Sequence, residues 1–131
     1  MLERIIIAAT LFFMAAIMWH ALKMYRKYKA GKADPEKLIK TGRPAVLYFW
    51  ADNCSVCKSV QKPAIEFILS ANIIKDLQFV AIDVSEKPDL TNEWGVMTVP
   101  SSFVINKNGI CKYINSGLVS REDLTRQLLS I

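Results

Sequence analysis

The sequence predicts an α/β domain, in which helices cover both faces of a mixed sheet of about four strands, preceded by one transmembrane helix. Two observations predict the domain: short apolar runs alternate with helical patterns, and a turn joins the last two strands. A third observation predicts the separate helix, because residues 5–22 carry no charge and a helix of that length reaches about 27 Å. We therefore divide the chain into an anchor with a basic flank, residues 1–30, and a domain, residues 31–131.

The positive charge lies next to the apolar helix and not in the domain. The 131-residue chain has a formal net charge of +5, but residues 1–43 hold nine Lys and Arg against three acids, whereas residues 44–131 hold eight against nine. Proteins that bind nucleic acid usually carry a cationic patch on the folded surface, so we expect no nucleic-acid partner. A basic flank beside an apolar helix is typical of a segment at the lipid headgroups.

The apolar run is interpreted as an uncleaved anchor and not as a signal peptide. Trp19, Tyr25 and Tyr28 lie near its C-terminal end, and aromatic rings of this kind favour the membrane interface. The run is longer than the apolar part of most signal peptides, and no small-residue cleavage site precedes the basic cluster. No polar face recurs at the helical period, which argues against a buried soluble helix. We expect the helix to end at Gly31 as its C-terminal cap.

Short sequence signals predict the elements of the domain. Apolar runs predict strands at 45–50, 77–84, 101–106 and 110–114, the first two buried on both faces, with Asn108-Gly109 as the hairpin turn. Caps and helical spacing predict helices at 34–41, 55–70 and 86–94, and a last helix capped by Ser120. Pro63 should kink the second of these helices. The side chains expected to face the core from the second and last helices are Val56, Val60, Ile65, Ile68, Leu69, Leu124, Leu128 and Leu129.

The candidate catalytic residues are Cys54 and Cys57, which follow a buried strand and open a helix. Unpaired amides and the helix dipole stabilise a thiolate at such a position, Lys58 adds a nearby positive charge, and a Cys one turn further on can close a disulfide. The pair predicts thiol–disulfide exchange, in which Cys54 attacks a substrate disulfide and Cys57 resolves the mixed disulfide. The alternatives are half of a zinc site or two inert thiols. Zinc requires four ligands, and the domain offers only Cys111 besides the pair, since His20 lies in the apolar run.

These residues, in this order, resemble the thioredoxin family over residues 34–131. The matching features are Phe49-Trp50-Ala51, Cys54-Ser55-Val56-Cys57-Lys58, Val99-Pro100, Asn108-Gly109 and Gly117. The resemblance implies a thioredoxin-like fold and thiol–disulfide oxidoreductase activity, with no cofactor or metal. It also implies a substrate-binding role for three residues: Trp50 forms a wall of the site, a cis Pro100 packs against the disulfide, and the backbone of Val99 pairs with a bound substrate chain.

Several features depart from the family pattern. The buried Asp that precedes the first Cys is replaced by Tyr48, and the Lys that often pairs with it is replaced by Phe79, so the usual proton acceptor for Cys57 is missing. The middle residues of the motif are neither Gly-Pro nor Pro-His, and we expect a redox potential between those of reducing and oxidising relatives, nearer the reducing end. The family's first strand has no counterpart in residues 31–44. Cys111 is expected to be a small buried apolar residue.

Two functions remain open at this point. The first is a membrane-tethered oxidoreductase whose partners are proteins with disulfides or thiols and a membrane electron donor. The second is a peptide-binding module with little redox activity, which Tyr48 and Phe79 favour. The membrane side is also open, because the basic flank places the domain in the cytoplasm by the positive-inside rule, whereas resemblance to anchored family members places it outside, in the periplasm.

Overall fold

The computed structural model describes residues 1–131 and shows one long helix followed by a four-stranded α/β domain. The elements in chain order are α1 (Leu2–Lys32), a 3-10 turn (Pro35–Lys37), β1 (Ala45–Trp50), a π-helical turn (Cys57–Gln61), α2 (Lys62–Ala71), β2 (Gln78–Asp83), α3 (Pro88–Glu93), β3 (Ser101–Ile105), β4 (Cys111–Ser116) and α4 (Arg121–Leu129). The predicted fold class and the four strands are confirmed. The predicted helix at 34–41 is only the short 3-10 turn, which Asp34 caps by accepting a hydrogen bond from the Glu36 amide.

The four strands form one mixed sheet in the order β2-β1-β3-β4. β1 pairs in parallel with β2 and antiparallel with β3, and β3 pairs antiparallel with β4. β1 is therefore central, and its first five residues are buried. The expectation that β2 is buried on both faces is wrong. β2 is an edge strand with no earlier strand beside it, so most of its residues are half-buried and Ala81 is exposed.

Two apolar cores lie on the two faces of the sheet. Successive side chains of a strand point to opposite faces, so Leu47 and Phe49 enter one core while Val46 and Tyr48 enter the other. The first core is closed by α1 and α3 and contains Trp94, whose ring lies 5.1 Å from that of Phe103, centroid to centroid. The second core is closed by α2 and α4 and contains the side chains Ile65, Ile68, Leu124 and Leu128 together with Cys57.

Helix α1 continues through Gly31 without a break, so the expected end at Gly31 is wrong. Its last turn is held by packing, because Ala30 and the following Ala33 are both buried in the first core. The N-terminal part of α1 projects from the domain with its apolar side chains exposed, and it is the one helix long and apolar enough to cross a membrane. The domain and the apolar span therefore share a single continuous helix.

The helix that follows the Cys pair departs from regular α-helix just where the sequence pattern fails. Residues Cys57–Gln61 form a π-helical turn, in which extra backbone per turn rotates the following side chains out of the 3.6-residue register. Val60, inside this turn, is exposed, and so is Val56, which precedes the turn; both differ from the expectation. Ile65 and Ile68, which follow in α2, are buried as expected. Leu129 is also exposed, since it lies at the end of α4 and beside the buried Leu128.

Candidate active site

The Cys pair lies at the end of the central strand, where the chain turns from β1 into a helix. The Ala51 carbonyl accepts a hydrogen bond from the Cys54 amide, at 3.1 Å, which closes the turn. Cys54 and Cys57 form a disulfide, with their Cα atoms 5.3 Å apart. Cys54 is half-buried, whereas Cys57 is 1% exposed. Cys54 is therefore the more accessible of the two residues to a visiting molecule.

The backbone at this turn favours negative charge on Cys54. The amide of Cys57 donates a hydrogen bond to Cys54 Sγ, at 3.2 Å, and the first amides of a helix stabilise a thiolate. Lys58 contributes less positive charge than its position in the sequence suggests. Its Nζ lies 2.7 Å from Asp52 Oδ1 in an exposed ion pair, which largely compensates the charge. Stabilisation of a Cys54 thiolate thus comes mainly from the backbone.

Tyr48 supports the Cys57 turn from beneath. Its hydroxyl donates a hydrogen bond to the Cys57 carbonyl oxygen, at 3.1 Å, and its ring stacks on Phe79 with the centroids 6.1 Å apart. Burial raises the pKa of Tyr48 above its ordinary value, so the hydroxyl keeps its proton throughout the neutral range. Tyr48 is therefore a hydrogen-bond donor that braces the turn, and it cannot replace a carboxylate as proton acceptor.

A cavity of about 410 Å³ adjoins Cys57 and opens to solvent. Tyr48 and Phe79 line its apolar part. The charged groups that line it are exposed and therefore lie at its mouth: Asp52, Lys58, Lys62 and Glu66. The cavity therefore connects the buried Cys57 with solvent, and no acidic side chain lines its buried part.

Val99 and Pro100 form the opposite side of the site. The bond between them is cis, and Val99 packs with Trp50 and Cys54 against the second core. The carbonyl of Pro100 accepts a hydrogen bond from the Gly117 amide, at 2.8 Å. The five residues that the sequence predicts for the site therefore come from two separate parts of the chain, which meet where Phe49 of β1 pairs with Ser101 of β3.

Gln61 is a structural residue of the site that sequence reasoning missed. Its side chain is 1% exposed. Its Oε1 accepts a hydrogen bond from the Val119 amide, at 2.9 Å, and its Nε2 donates one to the Val119 carbonyl, at 3.2 Å. These two bonds join the turn after the Cys pair to the loop beside Pro100. The only sequence signal was a polar residue inside an apolar helical pattern, and its partner lies 58 residues away.

Cys111 lies apart from the pair, in β4. It is half-buried and not disulfide-bonded, and burial raises the pKa of its thiol to about 12. Its nucleophilic thiolate form is therefore scarce at neutral pH. No group of three or more His, Cys, Asp or Glu side chains is arranged to hold a metal ion.

The geometry defines a class of protein. A disulfide with one accessible sulfur, at the start of a helix and beside a cis-proline, is the reactive group of a thiol–disulfide oxidoreductase. The thioredoxin family model matches residues 28–130, and the chain belongs to the thioredoxin family. The predicted family and the predicted enzyme class are both confirmed.

Individual relatives agree with the family match. The thioredoxin of Rickettsia bellii is 28% identical over 93 residues, which are 71% of this chain and 86% of the relative. The crystal structure of oxidised mitochondrial thioredoxin 3 from Saccharomyces cerevisiae is 26% identical and superposes with a TM-score of 0.60, covering 72% of this chain and 85% of that one. Thioredoxin-2 of the malaria parasite is 20% identical with a TM-score of 0.64, covering 71% and 87%.

Proposed function

We propose that this chain is a membrane-tethered oxidoreductase that exchanges disulfides with protein substrates through its Cys-Ser-Val-Cys motif. The observation that carries the proposal is the unequal exposure of the two sulfurs. In the reduced enzyme, the accessible Cys54 thiolate attacks a substrate disulfide and forms a mixed disulfide. The Cys57 thiol then loses its proton and attacks Cys54, which releases the substrate as a dithiol and restores the enzyme disulfide. Two electrons and two protons pass from enzyme to substrate.

Three further residues position the substrate in this proposal. Trp50 borders the disulfide, and Val99 lies across from it with a backbone that can pair with an extended substrate chain. Pro100, which is buried and held by the Gly117 amide, fixes the height of that backbone above Cys54. The substrate is thus bound mainly through backbone contacts, which suits clients of varied sequence.

Helix α1 supports a permanent tether and not a removable leader. Cleavage after the apolar span would have to cut inside a helix whose end is packed in the core, where Ala30 is buried. The side chain of Lys29 also lies directly against Gly95 of the domain. We therefore infer that α1 stays with the domain in the mature protein, and that it resists extraction from membranes by alkaline carbonate.

A reduction assay tests the proposed activity. We choose the fragment of residues 23–131, which keeps the docked turn around Ala30, and measure the reduction of insulin by dithiothreitol. The fragment should accelerate the reaction, Cys54→Ser and Cys57→Ser should abolish the acceleration, and the matched control Cys111→Ser should retain it. Equal activity in all four proteins would refute the proposal.

A peptide-binding module with little redox activity is the second candidate. The replacement of an acid–base pair by Tyr48 and Phe79 favours it, because Cys57 then resolves mixed disulfides slowly. The insulin assay separates the two functions. If the chain is a peptide-binding module, it should bind extended peptides equally well with Cys54 intact or replaced by Ser, and it should not accelerate the reduction of insulin.

We infer the side of the membrane on which the domain lies from the basic residues that flank the apolar span. Lys23, Arg26 and Lys27 follow the apolar span directly, and Arg4 is the single Lys or Arg before it. By the positive-inside rule this asymmetry supports a cytoplasmic domain. A reporter that is active only outside the cytoplasm, fused after residue 131, should therefore stay inactive. An active reporter would place the domain outside.

A further inference from the structure

The direction of helix α1 relative to the sheet determines which end of the domain meets the membrane. After α1 the chain runs to the hairpin between β3 and β4: Pro35 lies next to Gly109, and the Gly42 amide donates a hydrogen bond to the Lys107 carbonyl, at 2.9 Å. The C-terminal end of α1 is therefore at the hairpin end of the sheet.

The disulfide is at the other end of the sheet. β3 begins at Ser101, next to Pro100, and ends at Ile105, next to the hairpin. Its partner β1 starts opposite Ile105 and ends beside the Cys pair. α1 finishes where β1 begins, and its earlier residues Trp19 and Lys23 share a groove with β4 up to Ser116, so the helix runs antiparallel to β1. Followed toward its N-terminus, α1 thus leads from the hairpin end to the disulfide end and only then into the apolar span.

The lengths of the elements place the disulfide end of the domain and the C-terminal end of the apolar span at the same height. The sheet is about 20 Å tall, from six residues of β1 at about 3.3 Å each. Along α1, the distance from Ala33 back to Trp19 is about 21 Å at 1.5 Å per residue. Trp19 and Lys23 line a groove against β4 that extends to Ser116, the residue paired with Ser101 at the disulfide end. The disulfide end is therefore level with the point where the apolar span leaves the membrane.

The surface at that end carries exposed apolar side chains next to the exposed Asp52–Lys58 ion pair. Val56 lies between the two Cys, Met97 lies two residues before Val99, and Leu118 follows Gly117; all three side chains are exposed. The opposite end of the domain carries the exposed hairpin residues Lys107 and Asn108, with Ile110 as the one large exposed apolar side chain of the hairpin. The interface favours an arrangement in which the exposed apolar side chains beside the disulfide are directed at the bilayer and the hairpin end is directed at water.

We propose that the disulfide end of the domain faces the bilayer surface, so that the enzyme exchanges disulfides with integral membrane proteins whose Cys residues lie close to that surface. This inference rests on the membrane tether of the proposed function. The continuous helix holds the domain in this orientation, and the bilayer itself excludes substrates that need free approach from solution. In each exchange the enzyme dithiol gives two electrons and two protons to the partner's disulfide, or the enzyme disulfide receives them from the partner's dithiol.

The orientation is measured without any redox reaction. In a full-length chain whose three native Cys are replaced by Ser, a single Cys is introduced by Val56→Cys or by the matched Asn108→Cys, and is labelled with a fluorophore. The protein is reconstituted into phosphatidylcholine vesicles with a nitroxide quencher on the headgroups of both leaflets. We expect quenching at least threefold stronger at position 56 than at 108. A six-residue Gly/Ser insertion between Leu22 and Lys23 should abolish the difference.

The substrate class is measured with the native dithiol, which also covers the case in which the Cys-free chain does not fold. Reduced full-length enzyme is reconstituted with a transmembrane peptide that carries a disulfide either at the bilayer surface or on a helical spacer about 30 Å above it. The enzyme should reduce the disulfide at the bilayer surface at least tenfold faster than the disulfide on the spacer. The variant with the Gly/Ser insertion should reduce the two disulfides at similar rates, and so should dithiothreitol alone.

Equal quenching at the two positions, or equal rates of reduction by the enzyme without the insertion, would overturn the inference and leave the proposed function standing. If the insertion variant reduces neither peptide, the proposed function itself fails and the inference falls with it.

Discussion

Replacing Gln61 with leucine should strongly destabilise the domain, because Gln61 satisfies two buried backbone groups. Leucine has a similar volume but no polar atom, so the amide and the carbonyl of Val119 would both lose their partner. A buried polar group without a partner costs about 1–3 kcal/mol. For two such groups we expect the free energy of unfolding to fall by about 2–6 kcal/mol. The loss is nearer the lower value if a water molecule binds the unpaired amide and carbonyl of Val119.

Urea unfolding of the oxidised fragment of residues 23–131 measures this loss, with the combined fluorescence of Trp50 and the buried Trp94 as the signal. The midpoint should fall while the dependence on urea concentration stays unchanged. Val60→Ala is the matched control, since Val60 precedes Gln61 in the same turn but is exposed, and it should cost less than about 1 kcal/mol. A Gln61→Leu loss no larger than that of the control would refute the reasoning.

The remaining predictions concern the chemistry of the three Cys and their surroundings. Tyr48→Phe should cost about 0.5–1.5 kcal/mol in urea unfolding, yet leave the rate of insulin reduction unchanged, because Tyr48 donates a hydrogen bond and accepts no proton; a large rate loss would contradict this role. Iodoacetamide at pH 8.5 should leave Cys111 unmodified in the oxidised native protein and alkylate it in urea, because its native pKa of about 12 keeps the thiol protonated. Equilibration with glutathione should give the Cys54–Cys57 couple a potential between about −270 and −120 mV, nearer the lower value; a potential near −120 mV would contradict the motif reasoning.

The parts of the site that the sequence predicted depend on local chemistry. A pair of Cys at i and i+3 after an apolar run fixes both the helix start and the reach between the sulfurs, so Cys54 and Cys57 could be placed without a structure. The cis bond before Pro100 came from resemblance to the family and not from spacing. Both sequence patterns are local: each is contained within a few residues and can be recognised without knowing the contacts made elsewhere in the chain.

The parts that the sequence did not predict depend on contacts between distant residues. Nothing near Gln61 in the chain indicates its bonds to Val119, because the two meet only when α2 and α4 pack on one face of the sheet. The continuation of α1 through Gly31 likewise results from burial of Ala30 against the first core, which overrides the poor helix propensity of glycine. The exposure of Val60 goes with the π-helical turn that contains it, which no periodicity of 3.6 residues describes.

Trapping of the mixed disulfide tests most directly that Cys54 attacks and Cys57 resolves. Reduced Cys57→Ser protein is mixed with a disulfide substrate, and the covalent adduct is measured on a non-reducing gel. The unequal exposure of the two sulfurs predicts a stable adduct through Cys54. It also predicts almost none with Cys54→Ser, because Cys57 is buried and burial raises the pKa of the Cys111 thiol to about 12. Adducts of equal yield in the two variants, or none in either, would contradict the account.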